Sequence, residues 1–192
     1  MSALEQFRAE TRTWLDANCP ASMRTPMPED ERVWGGRNPR FKNPDSKLWL
    51  ERMVARGWTV PDWPKAYGGG GLSRDELQVL KEEMTGLGCR NALFSFGISM
   101  LGPVLLKYGT EAQKDYYLPR LAKGIEIPCF GLTGPDAGSD AGAMPDTGVV
   151  CRGRYEGQDD VLGVRLNFSK RYITLAPVAT IVGLAFRLYD PD

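Results

Sequence analysis

Apolar side chains in the first 125 residues recur every three or four positions, which is the spacing of one face of a helix. This spacing predicts helices over Ala3–Asn18, Ser46–Arg56 and Asn91–Lys107. Capping boxes, in which a Ser or Thr precedes a Glu or Gln by three positions, start at Ser73 and Thr110 and predict two further helices. We therefore expect an all-helical domain in this part of the chain.

After Gly124 the pattern changes to short runs in which apolar residues alternate with polar residues or glycine. Such alternation is typical of strands in an antiparallel sheet. The predicted strands are Ile127–Leu132, Gly148–Gly153, Val161–Asn167, Arg171–Leu175 and Thr180–Leu188. The predicted fold class is therefore α+β, with a helical domain over residues 1–125 and part of an antiparallel β-barrel or sandwich over residues 126–192.

Composition and charge are those of an ordinary soluble globular protein. Of the 192 residues, 42% are hydrophobic and 25% are charged. The 24 basic and 24 acidic side chains cancel, so we expect neither a nucleic acid nor an anionic membrane as partner. No apolar run approaches the roughly 20 residues of a membrane span, and residues 1–10 lack the apolar core of a signal peptide. These features predict a cytoplasmic protein.

The chain lacks the side chains of several common catalytic and metal sites. It contains no His, which excludes Ser-His-Asp and Cys-His catalysis from these residues. Its 4 Cys residues show no C-x-x-C spacing, so we expect no metal site. Chemistry would have to come from carboxylates, hydroxyls, lysines or a bound cofactor.

Two glycine-containing segments allow both a structural and a functional interpretation. Residues 129–140 turn from an apolar strand into small and polar residues, and they present the hydroxyls of Thr133 and Ser139. They are either a tight surface loop or a site for hydrogen bonds to a polar ligand. Residues 68–71 are four consecutive glycines, which form either a phosphate cradle or a structural turn, although the Lys-Ser/Thr of a P-loop is lacking.

These segments together resemble the FAD-dependent acyl-CoA dehydrogenase family. Residues 129–140 are similar to its TxPxAGSD signature, and residues 63–72 to its WPxxYGGxG turn. Residues 101–119 resemble its GP…GTxxQKxxxLP segment, and residues 170–174 its K-x-W-I-[TS] strand. Four motifs in family order are a much more specific signal than one. The resemblance implies the N-terminal helical domain and the start of the middle β-domain, with the C-terminal helical domain absent.

Two positions depart from the family pattern. Gly134 stands where the family usually has Glu, and Tyr172 stands where it has a Trp that packs on the flavin. Both departures resemble the large bacterial fatty-acid acyl-CoA dehydrogenases, whereas the first hundred residues resemble ordinary members. One hypothesis is that the chain joins sequences typical of two different subfamilies near Gly124.

The resemblance implies α,β-dehydrogenation of an acyl-CoA thioester. A carboxylate removes the α-proton, and the β-hydrogen leaves as a hydride to N5 of the flavin. The family's catalytic Glu lies in the C-terminal domain, beyond the end of this chain. No catalytic residue is therefore assigned here, and turnover by the isolated chain is not expected.

The resemblance also implies which residues contact FAD and acyl-CoA. The Thr133 hydroxyl and the Leu132 backbone would bond the flavin pyrimidine edge, and Ser139 would reach the pyrophosphate or the CoA. Tyr172 would pack on the flavin, with Thr174 near N5. The full cofactor set is Phe130, Leu132, Thr133, Ser139, Tyr172, Ile173 and Thr174, and the substrate set is Ser139 and Gly97. Each of these residues also has a structural alternative. The two hydroxyls would cap the loop, residues 172–173 would belong to the core of a strand, and Gly97 would belong to the core of a buried helix. In the functional interpretation, the small size of Gly97 admits a long or bulky acyl chain.

Partners follow from the same resemblance. We expect an acyl-CoA substrate, an electron-transfer flavoprotein as electron acceptor, and a homo-oligomer in full-length members. Two alternatives stay open. The chain is a non-catalytic flavin- or acyl-CoA-binding or assembly module that needs a partner chain, or it is a non-functional truncated product. The apolar character of residues 176–188 favours truncation over a purposeful small module.

Overall fold

The computed structural model describes residues 2–191 and divides the chain into two compact units, residues 1–127 and 128–192. The first is the helical unit and the second the β unit. The α-helices of the helical unit are α1 (Ala3–Asn18), α2 (Pro44–Arg56), α3 (Arg74–Gly86), α4 (Gly102–Tyr108) and α5 (Glu111–Ala122). The predicted α+β class is confirmed. Within the described residues, no helix combines the length and apolarity needed to cross a bilayer.

The helices begin where the sequence supplies their caps. The Ser73 hydroxyl accepts from the Glu76 backbone N–H while the Glu76 carboxylate accepts from the Ser73 N–H, and the same exchange joins Thr110 and Gln113. Each of these caps satisfies backbone donors that would otherwise lack a partner in the first turn. Both predicted capping boxes are confirmed, as is the predicted extent of α1.

Apolar side chains fill the centre of the helical unit. Leu15, Trp49, Met53 and Trp58 each expose no more than 5% of their surface. Trp14 packs edge-on against Trp58, with ring centroids 4.8 Å apart. Burying one Leu or Met side chain contributes about 1.5–3 kcal/mol, so this cluster is the main source of stability for the unit.

The four-glycine turn, residues 68–71, has no free N–H group. Its four N–H groups donate at 2.9–3.4 Å to the backbone carbonyls of Lys65, Pro64, Val60 and Trp63. A phosphate cradle needs N–H groups that are free to bind the ligand. The geometry therefore favours the structural interpretation of this turn.

Two of the family-like motifs pack on each other in the helical unit. A Cβ atom at Gly102 would lie 2.1 Å from Cζ2 of the Trp63 ring, well inside van der Waals contact. Only glycine allows the ring to approach the first turn of α4 this closely. The Trp of the WPxxYGG segment and the Gly of the GP segment thus form one contact.

The prediction of a helix from Asn91 was wrong in its start. Helical structure begins near Phe96, continues as a π-helix over Gly97–Leu101 and becomes α4. The preceding segment is held in other ways, because the Phe94 N–H donates to the Val33 carbonyl at 2.8 Å. A long-range hydrogen bond has replaced the local helical one.

The β unit contains two small sheets. In the first, β1 (Pro128–Gly131) pairs in parallel with β4 (Ile181–Leu184). In the second, β2 (Thr147–Tyr155) pairs antiparallel with β3 (Gln158–Asn167) and parallel with β5, whose bounds are Arg187–Tyr189. The pairing is therefore mixed, and within residues 128–191 the strands do not close into a barrel.

Two of the predicted strands differ in the structure. The predicted strand Thr180–Leu188 is two strands, β4 and β5, separated by residues 185–186. The predicted strand Arg171–Leu175 was wrong, because this segment is a turn with left-handed φ angles of 57° at Tyr172 and 67° at Leu175. The Arg171 N–H donates to the Thr133 carbonyl instead of to a strand ladder.

Candidate functional site

The signature loop, residues 132–140, begins where β1 ends. The Leu132 N–H donates to the Phe130 carbonyl at 3.1 Å, and the Gly134 N–H donates to the Ala137 carbonyl at 2.9 Å. These short-range bonds turn the chain away from the sheet directly after the strand. The loop then carries Ser139 at an exposed position before β2 begins.

The segment after β3 holds this loop in place through three hydrogen bonds. The Lys170 ammonium donates to the Leu132 carbonyl at 2.8 Å. The Arg171 N–H donates to the Thr133 carbonyl at 3.0 Å, and its guanidinium donates to the Pro135 carbonyl at 2.7 Å. The two motifs that resemble TxPxAGSD and K-x-W-I-[TS] are therefore joined in the structure.

A buried ion pair lies at the centre of this contact. Lys170 Nζ and Asp146 Oδ2 are 2.5 Å apart, and the two side chains expose only 7% and 2% of their surface. The Ser169 N–H donates to the other Asp146 oxygen at 2.8 Å. The Lys170 hydrogen bond first, and the Ser169 N–H second, hold the pKa of the Asp146 carboxyl below its usual value.

Asp146 was not among the residues that the sequence pointed to. It lies 24 positions from Lys170, and no periodicity or short motif connects two residues at that separation. The only available signal was Lys170 itself, which belongs to a family-like motif and needs a partner if it is buried.

Several polar groups of the loop and of the segment after β3 have no partner among the described residues. Among residues 2–191, the hydroxyls of Thr133, Ser139 and Thr174 form no hydrogen bond. Over the same residues, the backbone N–H groups of Ala137 and Gly138 donate to no acceptor. Hydroxyls and adjacent free N–H groups are the donors that bind phosphate or a heterocycle edge, so this set fits the polar groups of a dinucleotide cofactor.

Tyr172 is the most exposed large side chain beside the loop. It exposes 84% of its surface, and its backbone is left-handed, which is uncommon for an aromatic residue. The Arg171 guanidinium lies 5.2 Å from the ring centroid. Ile173 is half-buried, and its carbonyl accepts the Ala176 N–H at 3.1 Å, which closes the turn. The exposed ring is free to pack against a planar ligand.

A small groove runs along one side of the loop. Its volume is about 190 Å³, below the range of about 300–1,000 Å³ typical of ligand pockets. It is lined by Pro135, Asp136, Pro145, Asp146, Asn167, Phe168 and Ser169. The candidate site is therefore an open surface formed by loop edges and not an enclosed cavity within the β unit.

Gly97, the predicted substrate residue, lies in the helical unit. It is buried at the start of the π-helix, and its carbonyl accepts the Gly102 N–H. π-helical turns are rare and frequently occur at functional sites. The neighbouring Met100 exposes 41% of its surface, so the short helix is not buried on all sides.

Comparisons with known proteins identify relatives of this chain. The family model described as acyl-CoA dehydrogenase, N-terminal domain, matches residues 2–125. The acyl-CoA dehydrogenase IpdE1 of Mycobacterium tuberculosis is 31% identical over 147 residues, which cover 77% of this chain and 37% of that protein. IpdE1 is itself described as an acyl-CoA dehydrogenase, and its match covers a longer part of the chain than the family model does.

Solved structures share the fold. The ChsE4-ChsE5 complex from Mycobacterium tuberculosis matches with a TM-score of 0.59 at 26% identity, covering 98% of this chain and 42% of that chain. A glutaryl-CoA dehydrogenase from Mycobacterium smegmatis in complex with FADH2 matches with a TM-score of 0.56 at 23% identity, covering 98% of this chain and 43% of that chain.

The chain spans less than half the length of each of these relatives. The family model nevertheless matches more than half of the 192 residues. Within each unit two of the family-like motifs are joined, by packing in the helical unit and by hydrogen bonds in the β unit. The chain belongs to the acyl-CoA dehydrogenase family.

Proposed function

We propose that this chain supplies two parts of an FAD-dependent acyl-CoA dehydrogenase, the helical domain of residues 1–125 and the signature loop. The signature loop would bind the edge of the flavin and is called the flavin-edge loop below. The loop belongs to the partial β-domain of residues 126–192. The observation that carries the proposal is the unpartnered donor set on the loop. Within residues 2–191, three hydroxyls at Thr133, Ser139 and Thr174 lack a partner, on segments that hydrogen bonds hold together.

When bound, FAD would supply the acceptor for the hydride that leaves the β-carbon of the acyl chain. The chain's own residues would bind and orient it. The Thr133 hydroxyl and the Leu132 backbone are assigned to the pyrimidine edge, and Ser139 to the pyrophosphate or the CoA. Tyr172 and its neighbours, together with Phe130, would provide apolar contact area.

Thr174 is assigned a hydrogen bond to the flavin, which would adjust its electron affinity. Its hydroxyl is exposed and has no partner within residues 2–191. The proposal gives proton transfer to none of the described side chains, since the family's general base is a glutamate of the C-terminal helical domain. The chain would therefore bind and orient, and another part of the enzyme would take the α-proton.

The substrate in this proposal is an acyl-CoA thioester. The buried Gly97 in the π-helix would leave room for a long or bulky acyl chain. An electron-transfer flavoprotein would reoxidise the flavin, and assembly with further copies is expected. The ChsE4-ChsE5 structure is a complex of two differently named proteins, which supports assembly with another chain as a second possibility.

A second candidate function is a non-catalytic binding module that needs a partner chain. The observation that favours it is the amount of exposed apolar surface in the β unit, where Leu162, Phe168 and Leu188 expose 64%, 51% and 58% of their surface. Surface of this kind marks an interface in many proteins. The mass of the chain in solution, measured by light scattering, separates self-assembly from a monomer, and a monomer that retains no FAD is the result expected for this candidate.

The experiment for the leading proposal is retention of FAD. The purified chain is mixed with FAD, passed through gel filtration and examined for flavin absorbance. Thr133→Val keeps the shape of the side chain and removes its hydroxyl, and it is expected to lower FAD retention at least tenfold. The matched control is Thr13→Val, because Thr13 is exposed on α1 and its hydroxyl donates to the Ala9 carbonyl.

Retention of FAD by the unsubstituted chain and by Thr13→Val, with loss in Thr133→Val, is the expected result. Equal retention by all three proteins would contradict the assignment of Thr133. No retention by any of them would contradict binding by this chain alone and favour the module that needs a partner.

A further inference from the structure

We infer that Asp146 and Lys170 form a positioning pair for the flavin-edge loop, through the Leu132 carbonyl. The inference rests on the proposed function, because it concerns the same loop. Neither residue is assigned contact with FAD or substrate. The pair is proposed to fix the backbone on which the Thr133 hydroxyl is carried.

The first observation is that the Lys170 ammonium is fully coordinated. An ammonium group has three donors. They are directed to Asp146 Oδ2 at 2.5 Å, to the Leu132 carbonyl at 2.8 Å and to the Met144 sulfur at 3.2 Å. The charge is therefore placed to hold three specific groups, and the only backbone group among them belongs to the loop.

The second observation is that Asp146 connects this ammonium to the sheet. Its carboxylate accepts the Lys170 ammonium and the Ser169 N–H, and its backbone carbonyl accepts the Arg187 N–H at 2.9 Å. Asp146 lies directly before β2, and Arg187 is the first residue of β5. The position of the Leu132 carbonyl is thus set relative to two strands of a different sheet.

The third observation is what holds Thr133 itself. Within residues 2–191 its hydroxyl forms no hydrogen bond, so no side-chain partner orients it. Its backbone is held on both sides, at the Leu132 carbonyl by Lys170 and at its own carbonyl by the Arg171 N–H. The direction of a ligand-binding hydroxyl would then depend on the backbone contacts, and Lys170 supplies one of them.

Stability alone is a weak explanation for this pair. Removing two charges from water is costly, and replacing a buried ion pair with apolar side chains is often neutral or stabilising. The interior around Asp146 and Lys170 thus gives no reason, on energetic grounds, to prefer charges over apolar residues. Precise placement of one carbonyl is a role that an apolar pair cannot perform.

The test measures the loop without flavin and then with it. In the flavin-free 192-residue chain, the ¹³C shift of the Leu132 carbonyl is recorded by NMR, and FAD affinity is measured by flavin fluorescence. Lys170→Met keeps the length of the side chain and removes its donors. It is expected to move the Leu132 carbonyl shift and to weaken FAD binding at least tenfold.

The matched control is Arg152→Met on the β2–β3 hairpin. Arg152 also donates to a carboxylate and a backbone carbonyl, both of Asp160, at 3.0 and 2.8 Å, but this pair is exposed. It is expected to leave the Leu132 shift unchanged and FAD affinity within twofold. Unchanged shift and affinity in Lys170→Met as well would overturn the inference.

A double variant covers the case in which Lys170→Met does not fold. Lys170→Met with Asp146→Leu replaces the pair by apolar side chains and is compared with the unsubstituted chain by its Tm. A stable double variant that has lost FAD binding would support the role of the pair in positioning the loop. A stable double variant that still binds FAD would contradict it. If the unsubstituted chain binds no FAD, the proposed function fails, while the carbonyl shift still decides whether the pair positions the loop.

Discussion

The two units differ in what holds them together. In the helical unit, Trp49, Trp58 and Trp63 each expose no more than 5% of their surface, and apolar side chains fill the interior. In the β unit, the buried apolar residues among residues 128–191 are small, namely Pro128, Cys129 and Ala137 besides glycines. The β unit is instead held by strand pairing, and a buried ion pair joins its loop to the segment after β3.

This difference indicates which part of the folded chain opens more easily. A unit with a large apolar core opens only at high free-energy cost, whereas a unit held by exposed hydrogen bonds opens locally and cheaply. The candidate flavin-binding residues lie in the second unit. Binding of a ligand there would therefore also stabilise the less stable part of the chain, by mass action.

The largest expected contrast comes from matched Leu→Ala substitutions. Leu118 is fully buried in the helical unit, and Leu162 is 64% exposed in the β unit. Leu118→Ala is expected to lower the free energy of unfolding by about 2–5 kcal/mol. Leu162→Ala is expected to change it by less than about 0.5 kcal/mol. Urea unfolding followed by circular dichroism measures both, and similar losses would break the comparison between the units.

The next effect is expected at the contact between Trp63 and Gly102. A methyl group at Gly102 would overlap the Trp63 ring, so Gly102→Ala is expected to cost about 1–3 kcal/mol. Gly86→Ala is the control, because a Cβ there meets no atom within 4 Å. That change should be neutral or stabilise by up to about 1 kcal/mol. A stable Gly102→Ala variant would mean that the ring moves aside at little cost.

A smaller effect separates a structural serine from a ligand-binding one. Ser73→Ala removes the cap of α3 and is expected to cost about 1 kcal/mol. Ser139→Ala removes an exposed hydroxyl that forms no bond within residues 2–191, so stability should change by less than about 0.5 kcal/mol. Its effect should appear in FAD affinity instead. Loss of stability without loss of affinity in Ser139→Ala would argue for a loop cap.

The response of the loop to acid should show whether it depends on the charge of Asp146. The folded pKa of Asp146 is lowered by Lys170, so its stabilising contribution is present above the unfolded carboxyl pKa of about 3.9. That contribution is lost as the pH falls through the lower folded value. NMR of the flavin-free chain between pH 7 and pH 2 should therefore show the loop signals of residues 132–135 broadening or shifting as Asp146 takes up its proton.

Asp146→Asn provides the control for that titration. The variant has no carboxyl to protonate at this position, so the acid-dependent change at residues 132–135 should be absent. The same transition in the variant would assign the change to another carboxylate.

Local signals explain what the sequence predicted well. The extent of α1 and the caps at Ser73 and Thr110 depend on residues within one helical turn, and each was confirmed. Motif resemblance added the family, since the signature residues are contiguous. These features need no knowledge of which distant residues meet.

Long-range contacts explain the errors. The segment before Phe96 is not helical because the Phe94 N–H bonds Val33, and residues 171–175 are not a strand because Arg171 bonds Thr133. The apolar and β-branched patterns of both segments favoured the regular elements, and a distant carbonyl overrode them. The Asp146–Lys170 pair could not be predicted from the sequence for the same reason.

The most direct test of the account is amide hydrogen exchange of the purified chain, resolved by residue, with and without FAD. Without FAD, the helical unit should exchange much more slowly than the β unit. With FAD, added protection within the β unit should be largest at residues 132–139 and 171–174. Protection centred on the glycine turn of residues 68–71, or none at the loop despite retained flavin, would contradict the assignment of the loop as the flavin edge.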